Sequence, residues 1–334
     1  MNFLNNLYVP ETTFEFFIVK FGLFLSYLIV VPFVSVLFGT LLFSLIHVHK
    51  SNLYNNIQYL KFAEYISKIT FKNIWTKLLL GLLPFFGFVF FYAQLFSNEV
   101  KSAQNLTFAF FLFVIGLLLA TIYTKGYDRV DLKNFTDSIN ESKKPLGILV
   151  KIGWLGLLFI MLSSIILIGY SQNLLFPENS GISGLMNTIF TSANFLFIIL
   201  FLTIAFALTS AVVLGRMNRT KENYEFKDYA KEFTIKTGTI FAIAQSIIFV
   251  AYLFSVNVGA FSISYLLTSF IVLVIMLIIN VQFYLNYQDR NLKSTSIVFI
   301  FLLLFTVLLY NSQLASENAR KEKIVKNSNE ITIF

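Results

Sequence analysis

Long apolar stretches alternate with short polar ones along this chain, and the stretches exceed what the core of a water-soluble fold uses. A bilayer core of roughly 30 Å takes about 20 apolar residues in a helix. Eight runs reach or approach that length: Phe14–His47, Trp75–Phe96, Leu106–Tyr123, Leu146–Tyr170, Met186–Leu214, Phe233–Val256, Ser262–Tyr284 and Ser294–Tyr310. None shows the short alternating segments of a membrane barrel, and backbone groups in lipid must be satisfied within the span itself. The pattern predicts an all-α, polytopic membrane protein with eight transmembrane helices.

The segment Leu53–Thr70 has a different period. Lys61, Glu64, Lys68 and Lys72 fall on one helical face, and Tyr59, Phe62, Ala63, Ile66 and Ile69 on another. This predicts an amphipathic helix at the membrane surface, its basic face toward the headgroups. Glu64 and Lys68 stand in the favourable i,i+4 order. Pro32 and Pro84 fall inside the first two apolar runs and predict kinks there.

Some of these polar segments recur. Glu64-Tyr65-x-x-Lys68-Ile69-Thr70-Phe71-Lys72 echoes Asp228-Tyr229-x-x-Glu232-Phe233-Thr234-Ile235-Lys236. Val114-Ile115-x-Leu117 with Tyr127-Asp128-Arg129-x-x-Leu132-Lys133 echoes Val274-Ile275-x-Leu277 with Tyr287-x-Asp289-Arg290-x-Leu292-Lys293. Both pairs sit roughly 160 residues apart, which predicts two tandem four-helix units. The expected division is an outer N-terminal segment (1–13), a first unit (14–171), an outer linker (172–185), a second unit (186–313) and an outer tail (314–334). Four spans bring each unit in from the same side, so the duplication is parallel.

Composition agrees with a bilayer. Of 334 residues, 57% are hydrophobic and 13% charged, too little polar surface to cover a water-soluble domain. The net charge of +8 is unevenly placed. The loops after the first, third, fifth and seventh runs carry 19 basic against 10 acidic side chains, the other loops and tails 6 against 7. By the positive-inside rule the basic side is cytoplasmic, which puts both termini outside, across a bacterial inner membrane. The charge therefore reads as topology and gives no reason to expect a nucleic-acid partner. Residues 1–13 contain no Lys or Arg, so the first helix is expected to stay rather than be cleaved as a signal. With no cysteine there is no disulfide, no CxxCH haem attachment and no thiolate metal site.

Candidate chemistry is sparse. The two histidines, His47 and His49, are two apart on one helix, so they point about 200° from one another and cannot sandwich one iron. They are expected as an interfacial pair where the first helix leaves the membrane. Lys20 and Glu15 read as an ion pair or interfacial anchor at the outer end. Asn105, Asn194, Gln245, Asn280 and Gln282 are polar without being ionisable and are expected to bond between helices. Gly126-Tyr127-Asp128-Arg129 marks the point where the third span meets the inner surface, and a structural role is expected there.

Taken in order, several of these residues resemble subunit I of the cytochrome bd-type oxidase superfamily. The long first helix with Pro32 past its middle, and Trp75-x-Lys77-Leu78 after an amphipathic inner segment, are similar to that family. So are Ala109-Phe110-Phe111-Leu112 followed by Gly126-Tyr127-Asp128-Arg129 (Gly-Trp-Asp-Arg in the family). Ile168-Gly169-Tyr170-Ser171-Gln172-Asn173 is similar to Asn-Gly-Trp-Met-Gln-Asn, and Tyr229-Ala230-Lys231 to Phe-Ala-Lys. The likeness covers about Phe14–Val256. It implies a fold of paired membrane helices and a place in a respiratory complex.

The departures are as informative. The resemblance puts the family's two haem histidines at Tyr27 and Phe190, and its two carboxylates of the third helix at Asn105 and Phe113. Only Tyr27 among these has an atom of a type that ligates haem iron. The family's large quinol-binding loop is missing, since only Asn257–Phe261 separates the sixth and seventh runs. The expectation is a haem-free, structural partner subunit with no catalytic, cofactor or metal residues of its own. It would pack against a haem-bearing paralogous subunit, with lipid around it and a quinone or lipid in the vacated haem space. The alternatives are a transporter or channel built on the two pseudo-symmetric halves, with Asn194 and Asn280 as polar candidates, or a membrane anchor whose tail Ser312–Phe334 docks a periplasmic cytochrome.

Overall fold

The computed structural model describes residues 12–95, 100–127, 143–172, 191–219, 225–256, 261–289 and 294–331. Among them the chain is helical throughout: α1 (Thr13–Tyr54), α2 (Ile57–Phe71), α3 (Ile74–Leu95), α4 (Val100–Gly126), α5 (Lys143–Gln172), α6 (Ser192–Arg219), α7 (Lys227–Ser255), α8 (Ile263–Asp289) and α9 (Ser294–Ile331). All except α2 are long and apolar enough to cross a membrane, so eight spans are present as the hydropathy pattern predicts.

The helices overrun the apolar stretches that announced them. At 42 residues α1 is about 63 Å long, twice the thickness of a bilayer core. It continues past His47 to Tyr54 because backbone hydrogen bonding, not hydropathy, sets where a helix stops. It ends at Asn55, whose φ of 48° is the left-handed conformation asparagine tolerates as a helix stop. Its start is equally defined: Thr12 accepts from the Glu15 amide at 3.2 Å, and Glu15 accepts from the Thr12 amide at 3.3 Å, a capping box. Lys20 lies over the Phe16 ring, 5.0 Å from its centroid. α9 likewise runs to Ile331 although its apolar stretch ends near Ala315. The start expected for the fifth run, Met186, lies outside the described residues.

The two prolines are absorbed differently. Pro32 sits buried inside an uninterrupted α1. Pro84 is preceded by one π-helical turn, Leu78–Leu82, within α3. Proline has no amide proton and its ring crowds the carbonyl four residues back, and a widened turn relieves both.

α1 is the central element. Of its most apolar stretch 78% is buried inside the bundle, against 28% for α7 and 33% for α8. α1 packs on α2, α3, α5 and α6, with lesser contact to α9; α6 packs on α7 and α9, α4 on α5, and α8 on α7 and α9. The α1–α6 crossing is close because Gly39 has no side chain: a methyl there would collide with the Thr209 hydroxyl and come within 2.8 Å of its Cβ. The α4–α5 contact is close for the same reason, at Gly116 and Gly156.

The amphipathic α2 lays its apolar face on the C-terminal half of α1, where Leu60, Phe62, Ala63, Ile66 and Phe71 are buried. Three hydrogen bonds fix the contact: Thr40 with Thr70 at 2.9 Å, Ser44 to the Ala63 carbonyl at 2.8 Å, and Ser51 to the Asn56 carbonyl at 3.0 Å. The expected Glu64–Lys68 pair is present at 2.6 Å.

Candidate functional site

Two places gather the residues singled out by sequence. The first is the N-terminal half of α1 around Tyr27. The Tyr27 ring is buried and tilted against Phe88 of α3, with centroids 5.7 Å apart. On its other side Tyr27 and Val31 line a narrow apolar pocket with Phe197, Leu200, Phe201 and Ile204 of α6 and Phe305, Leu308, Leu309 and Ser312 of α9. The pocket measures about 20 Å³, room for one water molecule and far below the roughly 300 Å³ at which small-molecule sites begin. A porphyrin does not fit beside Tyr27 without moving several phenylalanines. Phe113 is fully buried against Phe85, 5.2 Å between centroids, a packing residue on α4. Asn105 is half-buried two turns earlier on the same helix. Phe190 lies outside the described residues.

The second place is the C-terminal half of α1, where α1, α2, α4 and α7 meet. His47 is fully buried there, and here the structure corrects the expectation of an interfacial histidine pair: His49 is exposed, whereas His47 is enclosed. The rings of Phe62, Phe233, Tyr229 and Tyr59 surround it at centroid distances of 4.7, 4.5, 5.8 and 6.4 Å. Its Nδ1 is 2.7 Å from the Phe43 carbonyl, which can only accept, so Nδ1 carries the proton. Nε2 then accepts from the Tyr229 hydroxyl at 3.0 Å. Both nitrogens are satisfied by the neutral imidazole, and α1 is thereby joined to α7.

A turn earlier, the Tyr123 hydroxyl bonds Ser44 at 2.8 Å and Tyr127 at 2.6 Å, so Ser44 connects α1, α2 and α4 through one oxygen. Lys77 is buried and spends its ammonium on structure, donating to the Phe71 carbonyl at the end of α2 and to Thr121 of α4, both at 2.9 Å. A cation on the last carbonyl of a helix is favourably placed against the helix dipole. On the surface above, Lys61 meets Glu225 at 2.7 Å and holds that carboxyl below the usual carboxylate range. The pair is therefore intact at neutral pH and is lost as pH falls through the lowered folded value.

Of the Gly126-Tyr127-Asp128-Arg129 motif, the first two residues are packed inside the bundle. A Cβ at Gly126 would collide with the Leu149 side chain of α5, and Tyr127 is buried in the hydroxyl chain. Asp128 and Arg129 lie outside the described residues. Asn194 and Asn280 are not brought together. Asn194 is the third residue of α6 and Asn280 the eighteenth of α8, so they differ by about 20 Å in depth. Asn280 donates to Ser246 of α7 at 3.0 Å, the interhelical bond expected of it.

Sequence reasoning missed the His47–Tyr229 junction, because its partners stand 182 residues apart. The recurrence that placed Tyr229 in an echo of the α2 segment was the available signal.

No model of a known protein family matches the chain, and no curated protein matches it either. The class that fold and site define is a multi-pass helical membrane protein with an apolar core around Tyr27 and a hydrogen-bonded junction around His47.

Proposed function

We propose that this chain is a haem-free structural subunit of a membrane oxidoreductase of the cytochrome bd type, packed against a haem-bearing paralogue. The observation that carries the reading is the Tyr27 pocket: the position that the resemblance gives to a haem ligand is occupied by a phenol wedged among phenylalanines, in about 20 Å³. Any redox group would then belong to the neighbour, and this chain would act through burial and positioning, which tune a haem without ligating it. Exposed Phe86, Phe108, Phe111, Ile115 and Leu118 on α3 and α4 offer an apolar flank for that neighbour.

The two tandem units belong to the same proposal. Exchanging α1, α3, α4 and α5 for α6, α7, α8 and α9 maps the contacts among these eight helices onto one another, while the α1–α2 contact has no counterpart. α1–α3 becomes α6–α7, α4–α5 becomes α8–α9, α1–α5 becomes α6–α9, and α1–α6 maps onto itself. A parallel duplication supports such a pattern, as do the recurring inner segments. In this reading both termini face the outside of a bacterial inner membrane. Because the chain lacks cysteine, a single one introduced at Lys326 should react with an impermeant maleimide on intact spheroplasts. One at Lys133 should react only after lysis. The reverse result would invert the topology.

Purification of the tagged full-length chain from its native membranes under mild detergent tests the partnership. The expected result is stoichiometric recovery of a histidine-containing polytopic protein together with b-type haem absorbance. Recovery of the chain alone, at full yield and monodisperse, would rule the subunit role out. One observation favours a second reading, a transporter or channel. Gln245 on α7 is fully buried, and neither atom of its amide has a hydrogen-bond partner among the described residues. A buried amide of that kind suits a polar solute or water in mid-membrane. Solute flux by the chain alone in proteoliposomes would favour that reading over the subunit role.

A further inference from the structure

At the inner ends of α7 and α8 a cavity of about 600 Å³ opens between the two helices. Asp228, Lys231, Glu232 and Lys236 line it from α7, and Tyr284 and Tyr287 from α8. The four charged residues fall on one face of the first turns of α7, at i, i+3, i+4 and i+8. Glu232 and Lys236 pair at 2.6 Å, and both stay more than half exposed. The lining thus carries two ammonium groups and two carboxylates, open to solvent and balanced in charge.

What lies next to the cavity, toward the membrane interior, gives it meaning. On α7 the face continues through Ile240, Ile243 and Ile247, all at least half exposed. On α8 it continues from Tyr284 through Val281 and Leu277, likewise more than half exposed. Two aliphatic stripes therefore begin where the charged pocket ends. Tyrosines at the boundary are the side chains that favour headgroup depth.

We propose that this groove is a binding site for a phospholipid with a zwitterionic, primary-ammonium headgroup, phosphatidylethanolamine in chemistry. The phosphate sits against Lys231 and Lys236, each of which has three donors, so Lys236 keeps two for the ligand while paired with Glu232. The ammonium donates to Asp228 and Glu232, and the acyl chains lie along the two stripes. Charge balance selects this headgroup. An anionic lipid would set its unbalanced charge against two carboxylates, and a choline headgroup has no N–H to donate to them. The volume accommodates a headgroup and glycerol, falling within the ordinary range for ligand sites. Such a lipid would be held at the junction whose other side is the His47–Tyr229 contact, since Tyr229 neighbours Asp228 and Phe233 neighbours Glu232 on α7.

The test uses the full-length chain in detergent, mixed with equal amounts of dioleoyl phosphatidylethanolamine, phosphatidylcholine and phosphatidylglycerol, with retained lipid read by native mass spectrometry. The expected result is retention of phosphatidylethanolamine over each of the others by about fivefold or more. Lys231→Gln with Lys236→Gln should cut that retention about tenfold. Asp228→Asn with Glu232→Gln should abolish the preference over phosphatidylcholine. All four side chains are at least partly exposed, so unchanged thermal midpoints are expected and would show that folding is not the cause. Equal retention of the three lipids, preference for phosphatidylglycerol, or retention indifferent to both double variants would overturn the proposal.

Discussion

Gly39→Leu is expected to destabilise the chain by about 3 kcal/mol or to prevent its accumulation in the membrane altogether. The position lies where α1 and α6 cross, and α1 is the helix on which most of the bundle rests. Even a methyl at Gly39 meets the Thr209 hydroxyl and brings two carbons to 2.8 Å, well inside ordinary contact. Neither helix can withdraw cheaply. α1 is held on its other sides by α2, α3 and α5, and α6 by α7 and α9. In a membrane, where lipid is as apolar as the helices, close packing of small residues is a principal source of helix association. Gly147→Leu serves as the control, since a Cβ at Gly147 meets nothing within 4 Å. Thr209→Gly should restore much of the loss in a Gly39→Ala background, because it removes the colliding atoms. Thermal midpoints of the detergent-solubilised variants give the comparison. A Gly39→Leu protein as stable as wild type would mean that the α1–α6 crossing is misplaced.

His47→Ala should cost about 3 kcal/mol, through the cavity left by the ring and the loss of its hydrogen bond to the half-buried Tyr229. Four aromatic rings contact the imidazole, and none can follow it into the vacated space without breaking another ring contact. Tyr229→Phe keeps the ring and removes only the hydroxyl, so about 1 kcal/mol is expected. His49→Ala should fall within about 0.5 kcal/mol of wild type, because His49 is exposed. Hydrogen exchange adds a spatial prediction. His47→Ala should loosen α2 and the first turns of α7 together, since both rest on this residue, while α4 and α5 keep their protection at Gly116 and Gly156. Uniform loosening of the whole bundle would show instead that the junction has no local role.

What the sequence disclosed and what it withheld divide along one line. Hydropathy integrates over about 20 residues, so it located the eight spans and separated α2 by its own period. It could not say where helices end, because α1 and α9 continue as helix beyond the apolar stretch, held by caps and by packing. The two histidines were rightly separated in direction by helical geometry. The burial of one of them was not foreseeable, because it depends on α2 folding back under α1 and on Tyr229 arriving from a distant segment. The same holds for Lys77. As a basic residue near the inner surface it reads as a topology signal, yet it is buried and caps α2. Tyr27 stands between these cases. Its register relative to Pro32 was legible, while the crowding by Phe88, Phe197 and Phe201 needed α3 and α6 in place.

Whether iron porphyrin can reside in this polypeptide is the point on which the proposed role turns. The most direct measurement is the visible spectrum and pyridine haemochrome of the full-length chain, expressed without a partner in a haem-replete host and purified to homogeneity. The account predicts no Soret band beyond trace, with helical circular dichroism intact. A stoichiometric b-type haem that survives purification would contradict it and would return Tyr27 to the position of a ligand.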